Sequence, residues 1–354
     1  MIAVSDAWRT NQLNLIVPEG FVEITLGNNV FTKTEIVSYK HEQTGCLMSG
    51  TLPHNRIEFS LDNSDGRYNP NTVNFEENQK LTVRYGFDVD GRIEWIKAGT
   101  FYLTEWNTPA NGIEATFSAR DLLVFMLDKP YTSNKTGTLK QLAERAVAEA
   151  GLPSGAVVYI HNSLSNYTAT LTREYTLAEV LQLCANAACC VMYQNRNGEL
   201  RIEPLNNTLS DYAIQKGWAY LYPEYEITRP LKAVHISYAN DGVAELSVSD
   251  SGETQTMANE LISAQSGAYL VAHWVGALLK NRRKISGEYR ADPRLDLFDK
   301  VRIESKYGVN EAVLITTIKY SYTGSFKASY SGRVVAFDPA MRAFFCGDLY
   351  CGEV

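Results

Sequence analysis

Tyr102-Leu-Thr-Glu-Trp106 leads through a loop and Gly112 into the alternating stretch Ile113-Glu-Ala-Thr-Phe-Ser-Ala-Arg120. The chain repeats this arrangement 212 residues on, as Leu314-Ile-Thr-Thr-Ile318, a loop with Gly324, and the alternating stretch Phe326–Arg333. Alternation with a period of two marks a strand with one buried side. In the first copy Ile113, Ala115, Phe117 and Ala119 share one face, and Glu114, Thr116, Ser118 and Arg120 share the other. Upstream, Lys80-Leu-Thr-Val-Arg84 and Lys300-Val-Arg-Ile-Glu304 look like counterparts with different loop lengths. Identity between the copies is low, so the signal lies in the order of the pieces. That order predicts two related antiparallel β-barrels in one chain.

The surroundings of each copy fit this expectation. Val22-Glu-Ile-Thr-Leu26 and Ile57-Glu-Phe-Ser-Leu-Asp62 also alternate, and Asp88–Gly91 ends in an Asp-Gly pair suited to a hairpin turn. After the polar linker Lys129–Gly137 the pattern turns helical. Thr138 with Gln141 forms a capping box ahead of Leu139, Leu142, Ala146, Val147 and Ala150, and Gly151 with Pro153 ends that helix. Thr176 with Glu179 opens a second helix, and residues 191–203 read as a β-hairpin. Strands return at Leu231–Tyr238, Ala244–Val248, Lys300–Glu304, Ala312–Tyr320 and Phe326–Val334. A helix from about Ser266 interrupts them, with Tyr269, Leu270, Trp274, Ala277 and Leu278 at helical spacing. The predicted class is α+β, mainly β, with two similar antiparallel β-barrels flanking a small α/β insert. The expected boundaries are a first barrel at 1–128, the insert at 129–210, a second barrel with one helix at 211–340, and a tail at 341–354. Barrel segments are free to interleave.

Composition narrows the function classes. The 354 residues suit about two to three domains. At 45% hydrophobic and 21% charged, the chain has the makeup of an ordinary folded soluble protein. Apolar runs such as Ala187–Tyr193 fall far short of the ~18 residues of a membrane span, and the start shows no secretory pattern. The chain is therefore expected to fold in the compartment where it is made. A net charge of −7 argues against a protein whose main work is gripping nucleic-acid phosphates. Six cysteines without a CxxC pair make no disulfide scaffold. Cys184, Cys189 and Cys190 read as buried free thiols, and Cys346 and Cys351 are too few to make a strong metal site.

Catalytic and cofactor motifs do not emerge. His41, His54, His161, His235 and His273 stand singly, and GxSxG, GxGxxG and phosphate-loop patterns are absent. No catalytic residue, cofactor or metal is expected. Asp62–Pro70 superficially resembles a calcium loop, but its spacing fails, and a tight turn is the simpler account. The basic run Lys280-Asn-Arg-Arg-Lys284 complements the negative end of the preceding helix. Lys280, Arg282, Arg283 and Lys284 are also the candidates for a channel lining or interface.

Several stretches together resemble the baseplate-hub, or tail-associated, proteins of tailed bacteriophages and related prophages. They are Ile57-Glu-Phe-Ser-Leu-Asp-Asn-Ser-Asp-Gly-Arg-Tyr-Asn-Pro70, Gly99–Trp106 with Ala115–Leu123, Asp292-Pro-Arg-Leu-Asp-Leu-Phe-Asp-Lys-Val-Arg-Ile303, and Leu314–Lys327 with the strand on to Arg333. The resemblance implies a homotrimer whose six similar units adapt a sixfold tail tube or distal-tail ring to a threefold tip. It implies residence at the virion tail tip after assembly in the bacterial host cytoplasm. The implied partners are a distal-tail or tail-tube protein, a tape measure protein, and a spike, fibre or receptor-binding protein, with transient DNA passage through the channel. Many relatives continue into a peptidoglycan hydrolase, whereas only 21 residues follow Arg333, so no lytic domain is expected. Two alternatives stay open. One is a tail-associated hydrolase with its site in the insert or a barrel cleft. The other is a carbohydrate-binding module using Trp218, Tyr220, Tyr222 and Tyr225, with Trp218, Tyr220 and Tyr222 alternating on one strand face.

Overall fold

The computed structural model describes residues 2–13, 19–48, 50–109, 112–206, 208–290, 292–306 and 310–335. The first part comprises α1 (Asp6–Leu13), β1 (Gly20–Leu26), β2 (Asn29–Phe31), β3 (Ile36–Thr44), β4 (His54–Asp62), β5 (Lys80–Val89), β6 (Arg92–Asn107) and β7 (Glu114–Arg120). The middle holds β8 (Thr136–Thr138), α2 (Leu139–Ala150), β9 (Val157–Ile160), β10 (Thr168–Thr170), α3 (Leu177–Ala187), β11 (Val191–Gln194) and β12 (Glu199–Glu203). The last part opens with β13 (Leu209–Ile214), β14 (Ala219–Ile227), β15 (Leu231–Tyr238), β16 (Gly242–Ser247), β17 (Glu253–Ala258) and α4 (Gln265–Leu279). It closes with β18 (Arg283–Arg290), β19 (Lys300–Glu304), β20 (Asn310–Tyr322) and β21 (Phe326–Val334). The fold is α+β and mainly β.

Thirteen strands share one sheet, and its order exposes the duplication. The first half runs β1-β5-β6-β7-β4-β3 and the second runs β13-β19-β20-β21-β18-β14. Strand for strand the sequence of neighbours is the same. All neighbouring pairs are antiparallel except β13 on β19, which is parallel where β1 on β5 is antiparallel. β2 adds a short hairpin on the first half that has no counterpart among the described strands. The halves join where β3 pairs with β20.

One core lies under both halves. Phe87 stacks on Phe326 with ring centroids 5.6 Å apart, and Tyr85 packs against Tyr320 at 5.5 Å. Trp8 of α1 seals its end against Phe87 at 5.0 Å. A second core serves the insert. Both capping boxes are present, at Thr138 with Gln141 and at Thr176 with Glu179, and α3 is buried along nearly its whole length. The predicted hairpin forms between β11 and β12. Gln194 ties this hairpin to the first half by accepting from the Leu122 amide at 2.9 Å and donating to the Thr100 carbonyl at 2.8 Å.

Segment 231–279, expected within the second barrel, packs elsewhere. Its strands form a separate sheet in the order β16-β15-β17, covered by α4. Val234, Ile236, Met257, Val271 and Trp274 bury themselves in the insert's core. The cause is the helix surface: Ala268, Val271, Ala272, Trp274, Val275 and Leu278 turn inward, while Tyr269 of the expected stripe is 39% exposed. The helix ends at Leu279, so Arg283 and Lys284 begin strand β18 rather than finishing the helix.

Candidate assembly interface

The seam between the halves is built from one strand of each. β3 runs antiparallel to β20, with Thr44 opposite Thr317, Glu42 opposite Lys319 and Tyr39 opposite Tyr322. Its core side is polar. Tyr39 and Tyr85 share a hydroxyl hydrogen bond of 2.9 Å, and His41 bridges Tyr85 Oη at 2.7 Å and Asn55 Oδ1 at 2.8 Å. Burial pushes the His41 imidazole down to about 3, so the ring stays neutral and fits its two partners. Arg196, from the turn between β11 and β12, reaches under the seam. Its guanidinium donates to the carbonyls of Pro293 and Leu295 and, at 3.2 Å, to Tyr320 Oη. The insert therefore pins the loop before β19 to the strand that carries the seam.

The outer side of the seam is charged. Glu42 accepts from Lys319 on β20 at 2.7 Å and from Arg56 on β4 at 3.1 Å. The Lys319 hydrogen bond leads the interactions that hold its carboxyl below the usual range. Lys40, Glu58, Glu288 and Lys327 line the same open groove.

Local detail repeats as faithfully as strand order. On β6 a bulge falls between Leu103 and Glu105, and on β20 one falls between Ile315 and Thr317. At the first, the Thr104 hydroxyl donates to the Ser118 carbonyl at 3.0 Å; at the second, Thr316 donates to the Ser331 carbonyl at 3.4 Å. Ahead of β5, Asn78 takes a left-handed φ of 62° and its amide donates to the Leu103 carbonyl. Ahead of β19, Phe298 takes φ 63° and its amide donates to the Ile315 carbonyl. A phenylalanine pays a steric penalty there that asparagine largely escapes, so the backbone path, not the side chain, is what the two halves share.

β14 occupies in the second half the place that β3 occupies in the first. Its Glu226 lies opposite Lys284 on β18 and bridges it at 3.3 Å, just as Glu42 lies opposite Arg56 on β4. The surroundings differ. Tyr220, Leu221, Tyr222, Tyr225 and Ile227 are all more than 40% exposed, and Ile227 reaches 66%. β14 pairs with β18 on one side, and no ladder partner is described on the other.

The basic run expected at a channel or interface adjoins this strand. Lys280 caps α4 and is exposed. Arg282 donates to the Thr228 carbonyl at 2.9 Å, Arg283 pairs with Glu311 at 2.5 Å, and Lys284 pairs with Glu226. Three of the four thus have partners: two fasten the end of β14 to the start of β18, and one fastens β18 to β20. The proposed aromatic row does not form, because Trp218 ends a short turn ahead of β14 and is buried between Tyr212 and Arg290. Tyr220 and Tyr222 remain outside, beside Lys327 and Lys306.

Other sequence candidates resolve into structure. Loop 62–70 satisfies itself: Asp62 accepts from the Ser64 amide, Asp65 pairs with Arg67, and Asn63 accepts from the Tyr68 amide. Cys184 and Cys190 are buried free thiols whose ionisation burial suppresses, and Cys189 is half-buried. Cys346 and Cys351 lie outside the described residues. Among the described residues no group of three His, Cys, Asp or Glu side chains is placed to hold a metal ion. No described helix is long and apolar enough to cross a membrane. Asp121, which sequence reading passed over, is pushed up to about 7 by burial, yet it serves as a cap, accepting from the Leu123 amide.

The architecture defined by these features is a duplicated six-strand module joined edge to edge around an inserted α/β lobe, and solved tail proteins share it. The tail protein from Neisseria meningitidis MC58 superposes with a TM-score of 0.64 at 12% identity, covering 89% of this chain and 96% of its own. The prophage MuSo2 43 kDa tail protein from Shewanella oneidensis gives 0.60 at 16% identity, with 88% and 97% covered. A prophage tail protein from Listeria monocytogenes EGD-e gives 0.55 at 13% identity, with 88% and 94% covered. No protein-family model matches the chain, and no curated protein sequence does either. The chain has the fold of phage-type tail proteins.

Proposed function

We propose that this protein is a structural hub of a phage-like tail tip. Three copies, each with two equivalent modules, present six similar units, which lets a threefold tip seat on a sixfold tail tube or distal-tail ring. The observation that carries this reading is the duplication inside one chain: the same strand order, bulge and threonine hydrogen bond occur in both halves. A duplicated module is the device a protein needs to meet two rotational symmetries at once. The role is assembly, without bond-making chemistry. The closest partners are the tube or distal-tail protein above and a spike, fibre or receptor-binding protein below. The tape measure protein is a further partner, and DNA passes transiently through the channel.

The test is the composition and symmetry of native particles. Tails purified from the producing bacterium should carry this chain at the tip, in three copies per particle by quantitative mass spectrometry. Six copies, or absence from the tail, would overturn the proposal.

A further inference from the structure

The internal seam pairs one strand from each half. β3 covers β20 from Thr317 to Tyr322, beyond the reach of β19. The equivalent stretch of β6 follows from the shared bulge, which sets Thr104 against Thr316, Trp106 against Ile318 and Asn107 against Lys319. β5 reaches only as far as the Tyr102 and Leu103 pairings, and Glu105–Pro109 has no described partner on that edge. The equivalent of β3 is β14, whose outer edge is likewise without a described partner. One chain therefore carries one closed seam and the two unmatched halves of another.

We propose that the outer edge of β14 in one copy adds, antiparallel, to Glu105–Pro109 of β6 in the next copy, in the register of the internal seam. This rests on the hub reading above and names the surface that would close its ring. Equivalence sets Glu226 opposite Asn107 and Ile227 opposite Trp106. The side chains suit those positions. Ile227 and Tyr225 are 66% and 41% exposed where their counterparts Gln43 and His41 are each 1% exposed beneath β20. Trp106 is only partly buried where its counterpart Ile318 is fully buried. Docking brings Ile227 against Trp106 on the core side and the Asn107 amide against the Glu226 carboxylate on the outer side. Because donor and acceptor surfaces differ, the contact is head to tail, and a closed ring leaves neither edge open.

The experiment uses the full chain carrying Glu226→Cys and Asn107→Cys, treated with a short bis-maleimide and run on a denaturing gel beside light scattering of the untreated sample. The expected result is a ladder ending at three chains, absent from each single variant and from the unmodified chain. A Glu42→Cys, Lys319→Cys control should link within the monomer mass. Ile227→Arg should shift the light-scattering mass from trimer to monomer while the thermal melt of the subunit stays in place. A trimer without a ladder overturns the seam and leaves the hub standing. A monomer at every concentration overturns both. A ladder that runs past three supports the seam and overturns the three-chain ring.

Discussion

β3 and β14 hold the same position in their halves and carry opposite surfaces. β3 buries Tyr39, His41 and Gln43 under the sheet, whereas β14 holds Tyr220, Leu221, Tyr222, Tyr225 and Ile227 in the open. The covered strand can carry Tyr39 and His41 inward because Tyr85 and Asn55 supply their hydrogen-bond partners. The open strand carries apolar side chains together with features that discourage indiscriminate pairing. It has Pro223, Glu224 and Glu226, and two irregularities in its register on β18. Position in a duplicated sheet thus fixes backbone path, while the presence or absence of a neighbour selects the side chains.

The largest break in this comparison should come from the floor of the seam. Arg196→Ala strips donors from the carbonyls of Pro293 and Leu295 and from Tyr320. With the Asp296 carboxylate, 3.5 Å from the Arg196 Nε, also left without its cation, a loss of about 3–5 kcal/mol in denaturant unfolding is expected. Arg196→Lys should recover only part of it, since a single ammonium cannot reproduce the fork that reaches two carbonyls.

Next come matched truncations at equivalent depth. Ile318→Ala, in the closed seam, should cost about 2–5 kcal/mol because Ile318 is fully buried. Ile227→Ala, on the open strand, should stay within about 0.5 kcal/mol for the subunit measured as a monomer. Equal losses at the two positions would remove the distinction between covered and open edges.

The pH response sharpens the comparison further. His41 has its pKa lowered from 6.5 to about 3, so its contribution is present above pH 6.5 and is lost as pH falls toward 3. Asp121 has its pKa raised from 3.8 to about 7, so its contribution is present below pH 3.8 and is lost as pH rises through 7. Between these limits the two slopes, each about 1.4 kcal/mol per pH unit, oppose one another. Asp121→Asn keeps an acceptor for the Leu123 amide and removes one of the slopes. Thermal melts of this variant should exceed wild type above pH 7 and then drop on acidification below pH 6.5, and a profile parallel to wild type would contradict the assignment.

The smallest effect tests the duplication itself. Thr104→Val and Thr316→Val each remove one hydroxyl bond at a bulge, and each should cost about 0.5–1.5 kcal/mol. Similar values in both halves mean that the bulge has the same mechanical role in each. A large effect in one half alone would mean that it does not.

How much of this was legible in the sequence follows from the same chemistry. β7 and β21 alternate apolar and polar residues, and each follows a similar segment, loop and glycine after β6 and β20, so the repeat showed through at low identity. Both capping boxes announced their helices because the hydroxyl and the side chain three residues on make local contacts. β3 and β18 left no such trace. β3 turns Tyr39, His41 and Gln43 inward, and polar core residues erase the alternation that marks a strand. β18 reads Arg-Lys-Ile-Ser-Gly-Glu-Tyr-Arg, with Ile285 and Tyr289 as its buried hydrophobics. The seam was therefore the least visible part, because it is held by hydrogen bonds between residues far apart in the sequence. The basic run was visible, but its partners Glu311, Glu226 and Thr228 come from other strands and appear only in three dimensions.

If both halves of this chain are one module using one kind of edge, the assembled ring repeats the internal seam between copies. A cryo-electron microscopy reconstruction of the assembled ring tests it most directly. Three chains and six matching lobes are expected, every β14 lying along a neighbour's β6. Six chains in the ring, or lobes joined through the insert with β14 left bare, would contradict it.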